Sequence, residues 1–312
     1  MSGTLYILAG PTASGKTDLA LEWARRRNAV ILSCDALCVY RGMNIGTAKP
    51  DAAARSQVPH FGINLVRVCE RFSVDSYQAH ALSAVREAGK RPLLVTGGSG
   101  FYLQSFFAPV ADRITIPEAI RTEVAELEVR EGLPGLLREL DSYNPDGTPG
   151  LDRRNPRRVV NALLRCRASG RTWLELRDSF ARQRSPFADW VKRVCLVRRS
   201  REHLRERIER RTRTMIAAGL ADEVAGLRLE GLESNPSAAN AIGYRETLDY
   251  LDGKYSAQEW EAAINRNTRR LVRKQDSWFR HRLPVEHVYE LEGDDPGDPS
   301  RLDAWWGEQP GA

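Results

Sequence analysis

Three short apolar runs mark the first third of the chain: "TLYILAG" from Thr4, "AVILS" from Ala29 and "RPLLVTGG" from Arg91. Each suits a strand rather than a helix, and each is bounded by polar, charged or glycine-bearing residues. Segments of helical periodicity, Asp18 to Arg27 and Ser76 to Ala88, lie between them. Strand and helix in alternation predict an α/β fold, a parallel doubly wound sheet with helices on both faces. A later run, "VKRVCLVRR", leads into "SREHLRERIERRTRTMIAAGLADEV", where Leu204, Ile208, Met215 and Ile216 recur near helical spacing and Gly219 ends or interrupts the helix. The sheet is therefore completed late in the chain.

Between Asp112 and about Ala181 the pattern turns to helices without strand runs. "PEAIRTEVAELEVREGLPGLLREL" is amphipathic, "NPDGTPG" is a loop, and "PRRVVNALLRCRASG" is a helix with glycine at its end. This predicts a helical insertion over 115–181 in a core made of 1–114 and 182–312. Helices from Ser237 to Arg280 pack outside the core, and the Gly, Asp and Pro content after Leu291 suggests a loose tail.

Composition narrows the class. A chain of 312 residues can bury a full core, and five cysteines without a CxxC pair indicate neither a disulfide frame nor a metal knuckle. The first apolar run is too short for a membrane span and lacks the basic flank of a secretory signal, so a soluble cytoplasmic protein without a membrane partner is expected. The net charge of +6 is unevenly spread: from Leu151 to Met215 there are 20 Arg and Lys against 7 Asp and Glu. A second basic block, "NRNTRRLVRKQDSWFRHR", interleaves arginine with Trp278 and Phe279. Such segments neutralise phosphates and offer stacking surfaces, which makes a nucleic acid a candidate partner, although solvated Arg-rich helices look the same.

The strongest local signal is "GPTASGKT", which fits GxxxxGK[ST] between an apolar strand and a helix. In such a loop, spanning Gly10, Pro11, Thr12, Ala13, Ser14, Gly15, Lys16 and Thr17, the amides of Ala13 to Thr17 converge on phosphate oxygens. Lys16 adds a point charge, and the Thr17 hydroxyl can ligate Mg²⁺. The pattern recognises a diphosphate without saying what is attached to it. In open α/β sheets ligands sit beyond the carboxyl ends of the strands. The loop, the acid Asp35 in "SCDALCVYRGMNIGTAKP" and the "GGSG" turn at Gly97 to Gly100 should then open into one crevice. Asp35 is either a loop cap or a group that takes a proton, and the constellation suits a P-loop kinase or a transferase with a pyrophosphate leaving group.

Six blocks, "GPTASGKT", "SCDALCVYRGMNIGTAKP", "VTGGSGFYL", "NPRRVVNALL", "AIGYRE" and "TRRLVRKQDSWFR", occur in the order found in tRNA dimethylallyltransferases, and the resemblance spans about Thr4 to Arg280. It implies a P-loop doubly wound sheet with a helical insertion domain and additional C-terminal helices. It further implies dimethylallyl diphosphate as donor, with the exocyclic amine of the adenosine immediately 3′ of the anticodon as acceptor. The tRNAs concerned read codons starting with U, and the insertion and late helices grip their anticodon stem-loop.

By the same resemblance Asp35 is the base, Lys16 and the loop hold the diphosphate with Mg²⁺ at Thr17, Arg158 closes over it, and Ser99 stands where the family usually has Thr. Residues facing tRNA are then Asp35, Ala36, Leu37, Cys38, Ser99 and Phe101, with Asn155, Pro156, Arg157, Arg158 and Val159 from the insertion. Arg245, Arg269, Arg270, Arg273 and Lys274 follow from the late helices; Trp278 and Phe279, as aromatics on a helix, are read as packing residues rather than stacking platforms. The family usually reads Asp-Ser-x-Gln after the second strand, whereas this chain has Asp35-Ala36-Leu37-Cys38. Loss of the Gln bears on base reading more than on chemistry. Competing readings are a free adenine-nucleotide isopentenyltransferase and a P-loop small-molecule kinase. Binding of ATP or GTP at the loop is left open, and a monomer is expected.

Overall fold

A computed structural model of the chain describes residues 3–110, 112 and 114–307. Six strands, β1 (Thr4–Ala9), β2 (Val30–Ser33), β3 (His60–Phe61), β4 (Leu93–Gly97), β5 (Val191–Arg198) and β6 (His287–Glu290), form one sheet in the order β3-β2-β4-β1-β5-β6. Every pairing is parallel. This is the doubly wound sheet that the alternation of runs predicts.

β1 lies between β4 and β5, with Leu5 to Ala9 opposite Leu93 to Gly97 and Ala9 opposite Leu196. A central parallel strand is covered on both faces, which is why "LYILA" is unbroken rather than alternating. Leu5, Ile7 and Ala9 pack in a layer with Tyr77, Ala81 and Ala84 of the helix Val74–Ala88. Tyr6 and Leu8 face the opposite layer, with Leu19 and Trp23 of the phosphate-loop helix Lys16–Arg26.

The chain divides into two compact units, one made of Met1–Phe107 with Pro186–Ala312 and the other of Ala108–Ser185. The helical unit is somewhat wider at both ends than the 115–181 read from periodicity. It holds the helices Glu118–Ser142, Pro156–Ser169 and Trp173–Ala181 around Val124, Leu136, Leu140, Val159 and Leu163. The first is broken at Gly132, whose φ of 61° leaves the helical region just before Pro134.

In the core unit, the basic helix Arg201–Ala217 presents Leu204 and Ile208 to Val272 of the long helix Ala257–Arg282. Phe279 of the long helix reaches the sheet core, while Trp260 and Ile264 build a separate cluster with Tyr244.

From Glu292 to Gly307 the tail is not loose, and residues 308–312 lie outside the described residues. After β6, the helix Ser300–Trp306 buries Leu302 and Trp306 against Tyr6 and Trp23, and Asp303 Oδ1 accepts the Trp23 indole N–H at 2.8 Å. A count dominated by Gly, Asp and Pro hid the few large apolar side chains that anchor this segment. Among the described residues, no helix is long and apolar enough to cross a membrane.

Candidate active site

The loop from Gly10 to Thr17 leaves the carboxyl end of β1 and enters its helix through Gly15 at φ 92°, a left-handed conformation that suits glycine. Gly10 is held by contact instead: a Cβ there would meet Ser14 Oγ at 2.8 Å and the Val197 carbonyl at 3.0 Å. Lys16 folds back so that its ammonium donates to the Pro11 carbonyl at 3.2 Å. Burial lowers its pKa to about 8 against the opposing attraction of Asp35.

Two further strand ends meet this loop. After β2, Asp35 Oδ1 accepts the Leu37 N–H at 2.8 Å, so the carboxylate does cap its own loop, while Oδ2 has no hydrogen-bond partner among the described residues. After β4, Ser99 Oγ accepts the Ala36 N–H at 3.0 Å, and its own N–H donates to the Cys34 carbonyl at 3.3 Å. The glycines of "GGSG" answer to close approach rather than to left-handed backbone. A Cβ at Gly97 would lie 2.1 Å from the Cys34 carbonyl oxygen, one at Gly98 2.5 Å from Gln275 Nε2, and one at Gly100 2.4 Å from the Trp278 ring. Gln275 joins both loops: its Oε1 accepts the Thr12 N–H and its Nε2 donates to the Gly98 carbonyl, each at 2.9 Å.

Two cavities share this machinery. One, of about 1110 Å³, runs from Gly15, Lys16 and Thr17 past Lys49 to Arg207 and Arg210. The other, of about 630 Å³, is lined by Asp35, Ala36, Leu37, Ser99, Phe101, Lys274 and Trp278 among others. Arg211 lines both. Its guanidinium donates to the Thr47 carbonyl at 3.2 Å, and burial lowers its pKa while the Asp35 charge raises it. The intervening loop is fixed by Glu223, whose carboxylate accepts N–H bonds from Asn44, Ile45 and Gly46 at 3.0, 2.7 and 3.2 Å and the Tyr244 hydroxyl at 2.7 Å.

The other expected site residues fall on several surfaces. Cys38 is buried beneath its loop and not on the cavity wall, its thiol pushed up to about 12 by burial. Arg273 lines a separate groove with Arg198, Arg201 and Arg280, whereas its neighbour Lys274 faces the smaller cavity, as helical rotation requires. Arg269 approaches Glu209 at 3.4 Å, Arg270 donates to Asn267 at 3.3 Å, and Arg245 pairs with Glu246 at 2.5 Å. In the helical unit Asn155 caps the helix that Pro156 begins, Val159 is core, Arg157 is exposed, and the exposed Arg158 lies 3.5 Å from Asp152.

No motif in the sequence singles out Arg211, Gln275, Glu223 or Arg199. For Arg211 a signal existed: it flanks the apolar stripe of Leu204, Ile208 and Met215 that turns this helix inward.

Thr17 is exposed on the larger cavity, and its hydroxyl has no hydrogen-bond partner among the described residues. No group of three or more His, Cys, Asp and Glu is placed to hold a metal among those residues. Mg²⁺ keeps waters and substrate phosphate oxygens as ligands, so a single hydroxyl beside a phosphate loop fits it.

A phosphate loop at the carboxyl ends of a parallel sheet, with a carboxylate-bearing cavity sharing an arginine wall with it, defines a P-loop α/β group-transfer protein. The sequence profile of the IPP transferase family matches residues 38–282, and the chain belongs to that family. A tRNA dimethylallyltransferase of Opitutus terrae is 51% identical, over 90% of this chain and 91% of its own length. One from Thermotoga petrophila is 36% identical, over 94% of each. The crystal structure of a full-length tRNA isopentenylpyrophosphate transferase from Bacillus halodurans superposes with a TM-score of 0.66 at 31% identity, covering 97% of this chain and 95% of that one.

Proposed function

We propose that this enzyme transfers the dimethylallyl group of dimethylallyl diphosphate to the exocyclic amine of the adenosine immediately 3′ of the anticodon, in tRNAs that read codons starting with U. The observation that carries the reading is Arg211 as the common wall of a phosphate-loop cavity and an Asp35-bearing cavity, in a chain of the IPP transferase family. The adenine amine attacks the allylic carbon, the carbon–oxygen bond breaks, and pyrophosphate leaves. Asp35 Oδ2 takes the amine proton as the carbon–nitrogen bond forms. Lys16, the loop amides and Arg211 take up the charge that grows on the leaving diphosphate. Mg²⁺, held by Thr17 and the diphosphate, would neutralise further negative charge there.

The target base leaves its stack to enter the smaller cavity, where Ala36, Leu37, Ser99 and the half-exposed Phe101 meet it. Arg157 and Arg158 of the helical unit, with Arg245, Arg269, Arg270, Arg273 and Lys274, meet the RNA backbone. All of these groups come from one chain, which works as a monomer in the cytoplasm. The test uses radiolabelled dimethylallyl diphosphate with unmodified tRNA, AMP or ATP. Label in tRNA alone supports the reading; label in AMP, or turnover of ATP to ADP, overturns it.

A further inference from the structure

When the amides of a phosphate loop face the ligand, its carbonyls face the opposite way and need partners behind the loop. Here two of the loop carbonyls are met by guanidinium groups, one of which, that of Arg207, comes from the wall of the larger cavity. Arg199 Nε donates to the Ser14 carbonyl at 2.8 Å, and Arg207 Nε donates to the Ala13 carbonyl at 2.9 Å. Arg199 is 6% exposed and packs so closely that a Cβ at Gly15 would come within 2.9 Å of its Nη2.

No carboxylate pairs with Arg199 among the described residues. Its remaining donors go to backbone carbonyls of one segment after β6: Nη1 to Glu292 at 3.0 Å and to Gly293, and Nη2 to Asp295. The same segment holds the neighbouring groups. Asp294 accepts from Arg207 at 2.9 Å and from Arg210, and the Gly293 N–H donates to His203 Nδ1 at 3.0 Å. A planar guanidinium with fixed N–H directions suits such a multi-carbonyl brace, and an ammonium does not reproduce it.

We infer that Arg199 is a positioning residue for the donor diphosphate: anchored on the carbonyls of Glu292, Gly293 and Asp295, it grips Ser14 from behind and holds the loop amides in their phosphate-facing arrangement. The strap that anchors it lies beyond the stretch matched by the family profile. Its fixed charge behind the Ser14 peptide strengthens the attraction for a polyanion without touching it. The inference rests on the proposed donor, but its first readout does not.

Inorganic pyrophosphate is titrated by calorimetry into wild type, R199Q and R199K, with folding checked by thermal melting. Steady-state kinetics and tRNA binding are measured alongside. Folded R199Q is expected to bind pyrophosphate about tenfold more weakly and to raise KM for dimethylallyl diphosphate by a similar factor, with kcat at saturating donor and tRNA affinity within about twofold. R199K, which keeps the charge but not the fork, recovers part of the affinity. Wild-type pyrophosphate affinity in R199Q, or a fall in kcat with KM unchanged, overturns the inference. If R199Q does not fold, R199K decides: about threefold weaker pyrophosphate binding supports it and wild-type binding overturns it. Arg199-dependent pyrophosphate binding in a protein that prenylates no tRNA would leave this inference standing and remove the proposed function instead.

Discussion

The side chain of Gln275, on the long C-terminal helix, accepts the N–H of Thr12 in the phosphate loop at 2.9 Å, across most of the length of the chain. Its amide group donates to Gly98 at the same distance, so one carboxamide sets the spacing of two strand-end loops. Q275L removes both bonds while keeping a comparable volume. At roughly 0.5–1.5 kcal/mol for each bond, kcat/KM for dimethylallyl diphosphate should fall about tenfold. Steady-state kinetics check this, and an unchanged kcat/KM would dismiss the tie as ornamental.

Asp35 serves its loop and, as proposed, the reaction, and two substitutions separate the roles. Asn keeps an oxygen for the Leu37 N–H, so D35N should melt like wild type while kcat falls by ~10²- to 10⁴-fold. D35A loses the cap as well and should be less stable by ~0.5–2 kcal/mol. Equal melting temperatures for the two variants would show that the cap contributes nothing.

Arg211 lines both cavities, the larger proposed for the donor and the smaller for the acceptor. R211Q, which loses the charge, should lower kcat/KM by about 10²-fold, with R211K between it and wild type. Single-turnover rates with saturating donor and tRNA check that the loss lies in the chemical step.

Lys16 titrates at about 8 in the free protein because burial disfavours its charged form. The charged form is the one that attracts a diphosphate. Once corrected for the ionisation of pyrophosphate itself, affinity should therefore be level below pH 8 and decline as pH rises through that value. Calorimetry from pH 6.5 to about 9.5 tests the sign; affinity that rises with pH would contradict it.

Trp306 meets Trp23 edge-on with ring centroids 5.1 Å apart, and it is 3% exposed. W306A should cost about 3–5 kcal/mol in chemical denaturation. A loose tail would show almost no change.

What the sequence disclosed was what it kept contiguous. The phosphate loop lies in one stretch of eight residues, and Asp35 directly follows an apolar run, so both were legible together with the parallel sheet. Gln275 was not, because its partner Thr12 lies far away in sequence and nothing local distinguishes it from its neighbours; Arg211 had only its place beside an apolar stripe to mark it, its partner Thr47 being equally remote. β3 has only two residues, and the four of β6, "HVYE", mix charged and polar with apolar positions, so neither stands out as the apolar run that marks β2. Among the arginines of the late basic block, opposite orientations of Arg273 and Lys274 follow from helical geometry, but which side faces the cavity depends on how the helix docks.

The long reach of these contacts also bears on the order of synthesis. The ribosome completes the phosphate loop well before its clasp at Gln275, 263 residues after Thr12, and before its rear brace at Glu292 to Asp295. At 5–20 residues per second, roughly 15 to 55 s separate the two events. During that interval the nascent chain carries the phosphate loop without the groups that clasp it from the front and brace it from behind.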